Sequence, residues 1–195
     1  MTVTACTPAV DSGDVRLLTR TGLDWTHKYL PIAAALSKQP VKQAYFDGEL
    51  CGVLPDGTTS FAIIQAASDA RNADNLVFYF FDLLFFDGED RTGLPVTQRK
   101  ARLAELLDGV APPLQYSDHH IGSGPAFYAE ASKLGVEGIV SKRVDSPYVP
   151  GNRGLWVKTK CLNSEEFVAS AGQSPKALVH ISGRCCSGIT MMPTS

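Results

Sequence analysis

The 195-residue sequence contains no C-x-x-C pair, and none of its 5 cysteines has a histidine at metal-ligand spacing. That leaves no basis for a zinc ribbon or a disulfide framework. No apolar run approaches the roughly 18 residues of a membrane-spanning helix. Residues 1–10 (MTVTACTPAV) lack the basic start and long apolar stretch of a secretory signal, so a cytoplasmic location is expected. Neither a GxxxxGK[ST] loop nor a GxGxxG run is present, which removes the two common helix-terminus phosphate sites. Charge of one sign is also lacking. The formal net charge is −2, so bulk charge gives no basic footprint for nucleic acid.

What is present is enough chain for one sizeable core, with 44% hydrophobic and 19% charged residues. Val15–Arg20 reads as a strand and Thr21–Gly22 as a turn. Asp24 is placed to cap a helix over His27–Leu36. Lys42–Val53, bounded by Pro40 and Pro55, reads as a strand, and Ser60–Ala67 as a short helix with a serine cap. Leu76–Phe86 (LVFYFFDLLFF) predicts a buried strand, its aromatic cluster most simply core. Thr97–Leu107 and Ser123–Leu134 predict helices. Gly138–Lys142, Leu155–Lys160 and Glu166–Ala169 predict short strands. Strands and helices alternate without regular βαβ spacing, which favours an α+β domain with antiparallel or mixed sheets. From about Ser170 the pattern dissolves.

Between Lys133 and Lys160 there are six basic residues against Glu137 and Asp145, which on its own reads as a solvated basic face. Lys158 and Lys160 are two apart and share one face of a strand, whereas Glu137 and Lys142, five apart, would point to opposite faces. Two lysines on one face, with carboxylates such as Glu49 and Glu137 nearby, suit a polyphosphate with a divalent metal. Edge protection by the lysines and an ordinary turn at Asp47–Gly48–Glu49 remain open alternatives.

Taken in order, LLTRTGLDWT, YFDGELCGV, LVFYFFDLL, EGIVSKR and WVKTK resemble successive motifs of ATP-dependent DNA ligases, nearest to the bacterial ligases of non-homologous end joining. The resemblance covers roughly residues 11–168. It implies an ATP-grasp-like nucleotidyltransferase domain, with ATP and Mg2+ as cofactors. It also implies nicked or broken double-stranded DNA as partner, with end-joining proteins. In that family a lysine is adenylated by ATP, AMP passes to a 5′-phosphate at a nick, and the 3′-hydroxyl displaces it. By the same resemblance Arg20 contacts the nucleotide or nick phosphate, and Glu49 the ribose and metal. Phe81 (or the adjacent Phe80) stacks on adenine, and Glu137 binds the metal. Lys142 belongs with the nucleotide-binding set, and Lys158 and Lys160 contact phosphates.

The family's nucleophile sits in a K-x-D-G-x-R motif just before the strand at Val15–Arg20, and no such motif is present. The catalytic lysine is therefore expected to be absent, and the chain inactive as written. The genetic code suggests a reason. One nucleotide earlier, Met1–Thr2 forces Asp, the codon before it allows Tyr, and the next codons permit Gly, Tyr, Arg, Leu and His, so that frame can read Y-D-G-Y-R-L-H-A, the motif without its lysine. Shifted in the same sense, Gly172–Thr194 can encode a string resembling the entry to the family's OB-fold domain. The expectation is an in-frame core over residues 11–169, flanked by out-of-frame ends at 1–10 and 170–195. Three readings follow: a ligase domain, a catalytically silent module that binds nucleotide or nicked DNA, and a product too exposed at its sheet edge to be stable.

Overall fold

The computed structural model describes residues 4–55, 59, 61–70, 75–134, 136, 138–149, 155–161 and 190–192. Ten strands and four helices are named in chain order. They are β1 (Thr4–Asp11), β2 (Asp14–Thr19), α1 (Leu30–Leu36), β3 (Gln43–Gly52), α2 (Phe61–Ala70), β4 (Leu76–Phe86) and β5 (Glu89–Asp90). Then follow α3 (Val96–Leu106), β6 (Leu114–Tyr116), β7 (His119–Ile121), α4 (Gly124–Lys133), β8 (Gly138–Lys142), β9 (Trp156–Lys160) and β10 (Thr190–Met192). The larger sheet runs β2-β1-β3-β4-β5, with β6 parallel to β4, and the smaller runs β7-β10-β8-β9. The class is α+β with mixed sheets flanked by helices, as the irregular alternation of elements predicts.

The core lies under one face of the larger sheet. Phe46 of β3 and Phe78, Phe80 and Leu83 of β4 are buried with Ile32 and Leu36 of α1, Leu103 of α3 and Leu114 of β6. Phe46 meets Phe80 edge-on at 5.1 Å between ring centres. The aromatic strand is therefore two-sided rather than wholly buried. Phe78 and Phe80 enter the core, while Tyr79, Phe81 and Phe85 are half-buried on the other face.

Two register shifts break the β3–β4 ladder. Tyr45 pairs with Phe85 and Phe46 with Leu83; Asp47 pairs with Asp82 and Gly48 with Phe80. Leu84 and Phe81 are thus the extra residues of two β-bulges, which re-aim neighbouring side chains. Gly48 is required at the second shift. A Cβ there would lie 2.3 Å from Phe78 Cε1 and 2.6 Å from the Tyr79 carbonyl oxygen.

The predicted helix over His27–Leu36 is divided. A 3-10 turn at Thr26–Lys28 precedes α1, because Pro31 lacks the N–H that a helix interior needs and is tolerated in the first turn. Trp25, not Asp24, is the N-cap of that turn, although the Asp24 carboxylate accepts from the Thr26 N–H at 2.9 Å. Residues 4–10, within the 1–10 segment expected to be out of frame, form with Asp11 the strand β1, which pairs with both β2 and β3. Strands β5, β6, β7 and β10 were not expected from the sequence. Ser60 and the predicted strand Glu166–Ala169 lie outside the described residues, as do residues 170–189 and 193–195.

Candidate active site

The outer face of β3 and β4 carries Asp47, Glu49, Tyr79 and Phe81, all half-buried. The antiparallel register of β8 and β9 places Lys142 opposite Trp156, Val140 opposite Lys158, and Gly138 opposite Lys160. Directly opposed residues point to the same side, so Lys142, Lys158 and Lys160 share a face. Gly138 permits the close pairing, since a Cβ there would sit 2.5 Å from the Thr159 carbonyl oxygen.

Lys142 joins the two faces. Its Nζ lies 3.9 Å from Asp82 Oδ2, 4.2 Å from the centre of the Trp156 ring and 5.5 Å from that of Phe81. The side chain is 3% exposed, and among the described residues Nζ has no hydrogen-bond partner. Burial lowers its proton affinity, opposed by the carboxylates of Asp82 and Asp47. Asp47 is pushed up by burial, and Lys142 and a hydrogen bond from Tyr148 oppose that shift. The Tyr148 hydroxyl donates to Asp47 Oδ2 at 3.1 Å, and its ring meets Trp156 edge-on at 5.5 Å.

A second layer fixes these groups. Arg99 of α3 donates from Nε to Asp82 Oδ1 at 2.7 Å and from Nη2 to Oδ2 at 2.9 Å. Its Nη1 donates to the carbonyls of Leu94 and Ser146, tying the strand, the helix and the 143–148 segment together. Lys100 donates to the Ser117 carbonyl at 2.8 Å, and burial brings its pKa down to about 8. Asp47, Asp82, Arg99, Lys100 and Tyr148 were missed at the sequence level. A carboxylate inside an otherwise apolar strand was the available signal for Asp82. Arg99 and Lys100 read as the polar face of an amphipathic helix, yet both are fully buried.

Of the residues expected at the site, Glu49, Phe81, Lys142, Lys158 and Lys160 lie on the two strand faces just described. Phe80 faces the core and Phe81 the crevice. Arg20 follows edge strand β2 and is exposed; none of the hydrogen bonds or ion pairs among the described residues links it to the crevice. Glu137 lies outside the described residues. No group of three or more His, Cys, Asp or Glu among them could hold a metal by itself.

The model of the ATP-dependent DNA ligase domain family matches residues 5–160. The multifunctional non-homologous end joining protein LigD of Pseudomonas aeruginosa is 34% identical over 168 residues, covering 86% of this chain and 20% of that protein. The crystal structure of the ligase domain from Mycobacterium tuberculosis LigD superposes with a TM-score of 0.70 at 31% identity, covering 82% of this chain and 51% of that one. A mycobacterial DNA ligase D complexed with ATP and MES gives 0.68 at 30% identity, over 83% of this chain and 52% of that one. The chain thus spans about one fifth of that LigD protein and about half of the ligase structures. With the motif order, the fold and these matches in agreement, the chain belongs to the ATP-dependent DNA ligase domain family.

Proposed function

We propose that this chain is the nucleotidyl-transfer part of an ATP-dependent DNA ligase of the bacterial end-joining type. In this reading it binds ATP with Mg2+ between the β3–β4 face and the β8–β9 face, and acts on nicked or broken duplex DNA. The observation that carries this is the buried Lys142 ammonium, which lies beside an aromatic ring and two carboxylates with no hydrogen-bond acceptor among the described residues. A buried donor of that kind calls for an acceptor, and a nucleotide supplies one. The reading is further supported by the family match and by a relative described as complexed with ATP.

In this assignment Phe81 stacks on the adenine and Glu49 holds the ribose and the metal. Lys158 and Lys160 neutralise phosphate oxygens, and Arg20 contacts a phosphate. Mg2+ is commonly held by one or two carboxylates together with substrate phosphates and water, so the half-buried Glu49 suits it, and the family resemblance assigns Glu137 as the second carboxylate. When bound, the ion would neutralise phosphate charge. The protein's own contribution is positioning and fixed positive charge.

Residues 1–195 contain no K-x-D-G-x-R motif, and on this reading they do not adenylate themselves. Lys100 is engaged with Ser117, and neither Lys100 nor Lys142 lies in such a motif. The missing motif favours, as a second reading, a silent module that binds nucleotide or nicked DNA. Incubation with α-labelled ATP and Mg2+ tests both: bound ATP without a covalent adduct is expected. An adduct contradicts the inactive reading, and absence of binding contradicts the nucleotide site. The out-of-frame reading of the ends is tested by the coding DNA, which should carry AA(A/G)T directly before the start codon.

A further inference from the structure

Beyond Tyr79 the crevice continues into a hollow of ≈ 440 Å³ lined by Tyr79, the Gln115–His120 segment and Phe127. Register places it beside the candidate nucleotide site. Glu49 pairs with Tyr79 across β3 and β4, and Tyr79 pairs with Gln115 across β4 and β6, so the three form one row on the same face. Neither Phe81 nor Lys142 lines it.

We infer that this hollow is a second binding site, for an unpaired nucleobase of a DNA strand. Naming DNA as the source rests on the ligase reading; the preference for a flat, uncharged ring does not. The His120 and Phe127 rings are nearly parallel, 7° apart with centres 5.3 Å apart, and His120 is an exposed residue. A base can extend that stack, as bases do on aromatic platforms in single-strand-binding proteins. Gly122 makes room for the imidazole, since a Cβ there would approach His120 Nε2 to 2.9 Å. Gln115 offers an amide, and Tyr116 and His119, joined at 3.2 Å between the hydroxyl and Nδ1, offer neutral polar edges. Burial lowers the proton affinity of His119, opposed by the Asp118 carboxylate.

Phosphate fits the hollow poorly. No lysine or arginine is among its described lining residues, and Asp118, its carboxylate 87% exposed, is one of them. Lys100 lies beneath, its ammonium directed to Ser117 and to the Tyr116 ring.

The test compares a short single-stranded oligothymidylate with an abasic strand of equal length, using the full chain with ATP and Mg2+ present. The oligothymidylate should bind roughly tenfold more tightly, as one base–aromatic stack implies, and should shift the amide resonances of Tyr79, Gln115, His119 and His120. His120→Ala should abolish the difference between the strands while leaving ATP affinity unchanged. Equal binding of both strands, no binding of either, or resonance shifts located elsewhere would overturn the proposal, even where the variant fails to fold. Base preference without ATP binding would instead remove the ligase reading and leave the site standing.

Discussion

Asp82 and Arg99 form a two-point ion pair in which neither side chain has any solvent exposure. One residue comes from β4 and the other from α3, so the pair locks the helix onto the strand that carries Phe81. Removing one partner of such a pair strands a buried charge, at a cost of about 3–5 kcal/mol. Arg99→Met should therefore lower the unfolding free energy, read from a urea titration, by an amount of that order. A change below about 1 kcal/mol would show that Lys142, 3.9 Å away, suffices as the counter-ion of Asp82.

Two glycines are set by close packing, and their substitution should behave differently from that of an open one. Gly48→Ala and Gly138→Ala each place a methyl group under 3.0 Å from a backbone oxygen. Overpacking of this kind costs about 1–3 kcal/mol. At Gly93 a methyl group would meet nothing within 4 Å, so alanine should be accepted there with a change of only about 0.5 kcal/mol. Thermal midpoints of the three variants check this, and a similar effect at all three sites would contradict the close-approach account.

Lys100 gives the fold a pH signature. Its folded pKa, about 8, is below its ordinary value of 10.5. From pH about 8 to 10.5 the unfolded chain therefore binds more protons at this residue, and stability rises with pH across that window. Below the window the cost of burying the charged form is fully present, of the order of 3 kcal/mol at about 1.4 kcal/mol per pH unit. Measured against Lys100→Met, the wild-type chain should gain stability between pH 8 and pH 10, and a flat difference would contradict the assignment.

Much of the framework was legible from the residues. The strand at Leu76–Phe86 is found with those bounds, and Lys158 and Lys160 share a strand face as their spacing of two requires. What escaped was set by tertiary contact rather than local pattern. Nothing in the spacing of Arg99 and Lys100 distinguishes a solvated helix face from one turned toward Asp82 and Ser117. The β-bulge at Phe81 arises from the register against Asp47 and Gly48, which the strand's own sequence does not reveal. The short strands β6 and β7 are three residues each, too brief for alternation to mark.

The central claim is that the lysine face of β8–β9 meets the β3–β4 face around a triphosphate. Calorimetric titration of ATP and of adenosine, with Mg2+ present, addresses it with Lys158→Ala and Lys160→Ala. A lost charge-assisted hydrogen bond of about 1.5–3 kcal/mol should weaken ATP by roughly tenfold or more in each variant and leave adenosine unaffected. ATP affinity unchanged in both, or an equal loss for adenosine, would contradict the account.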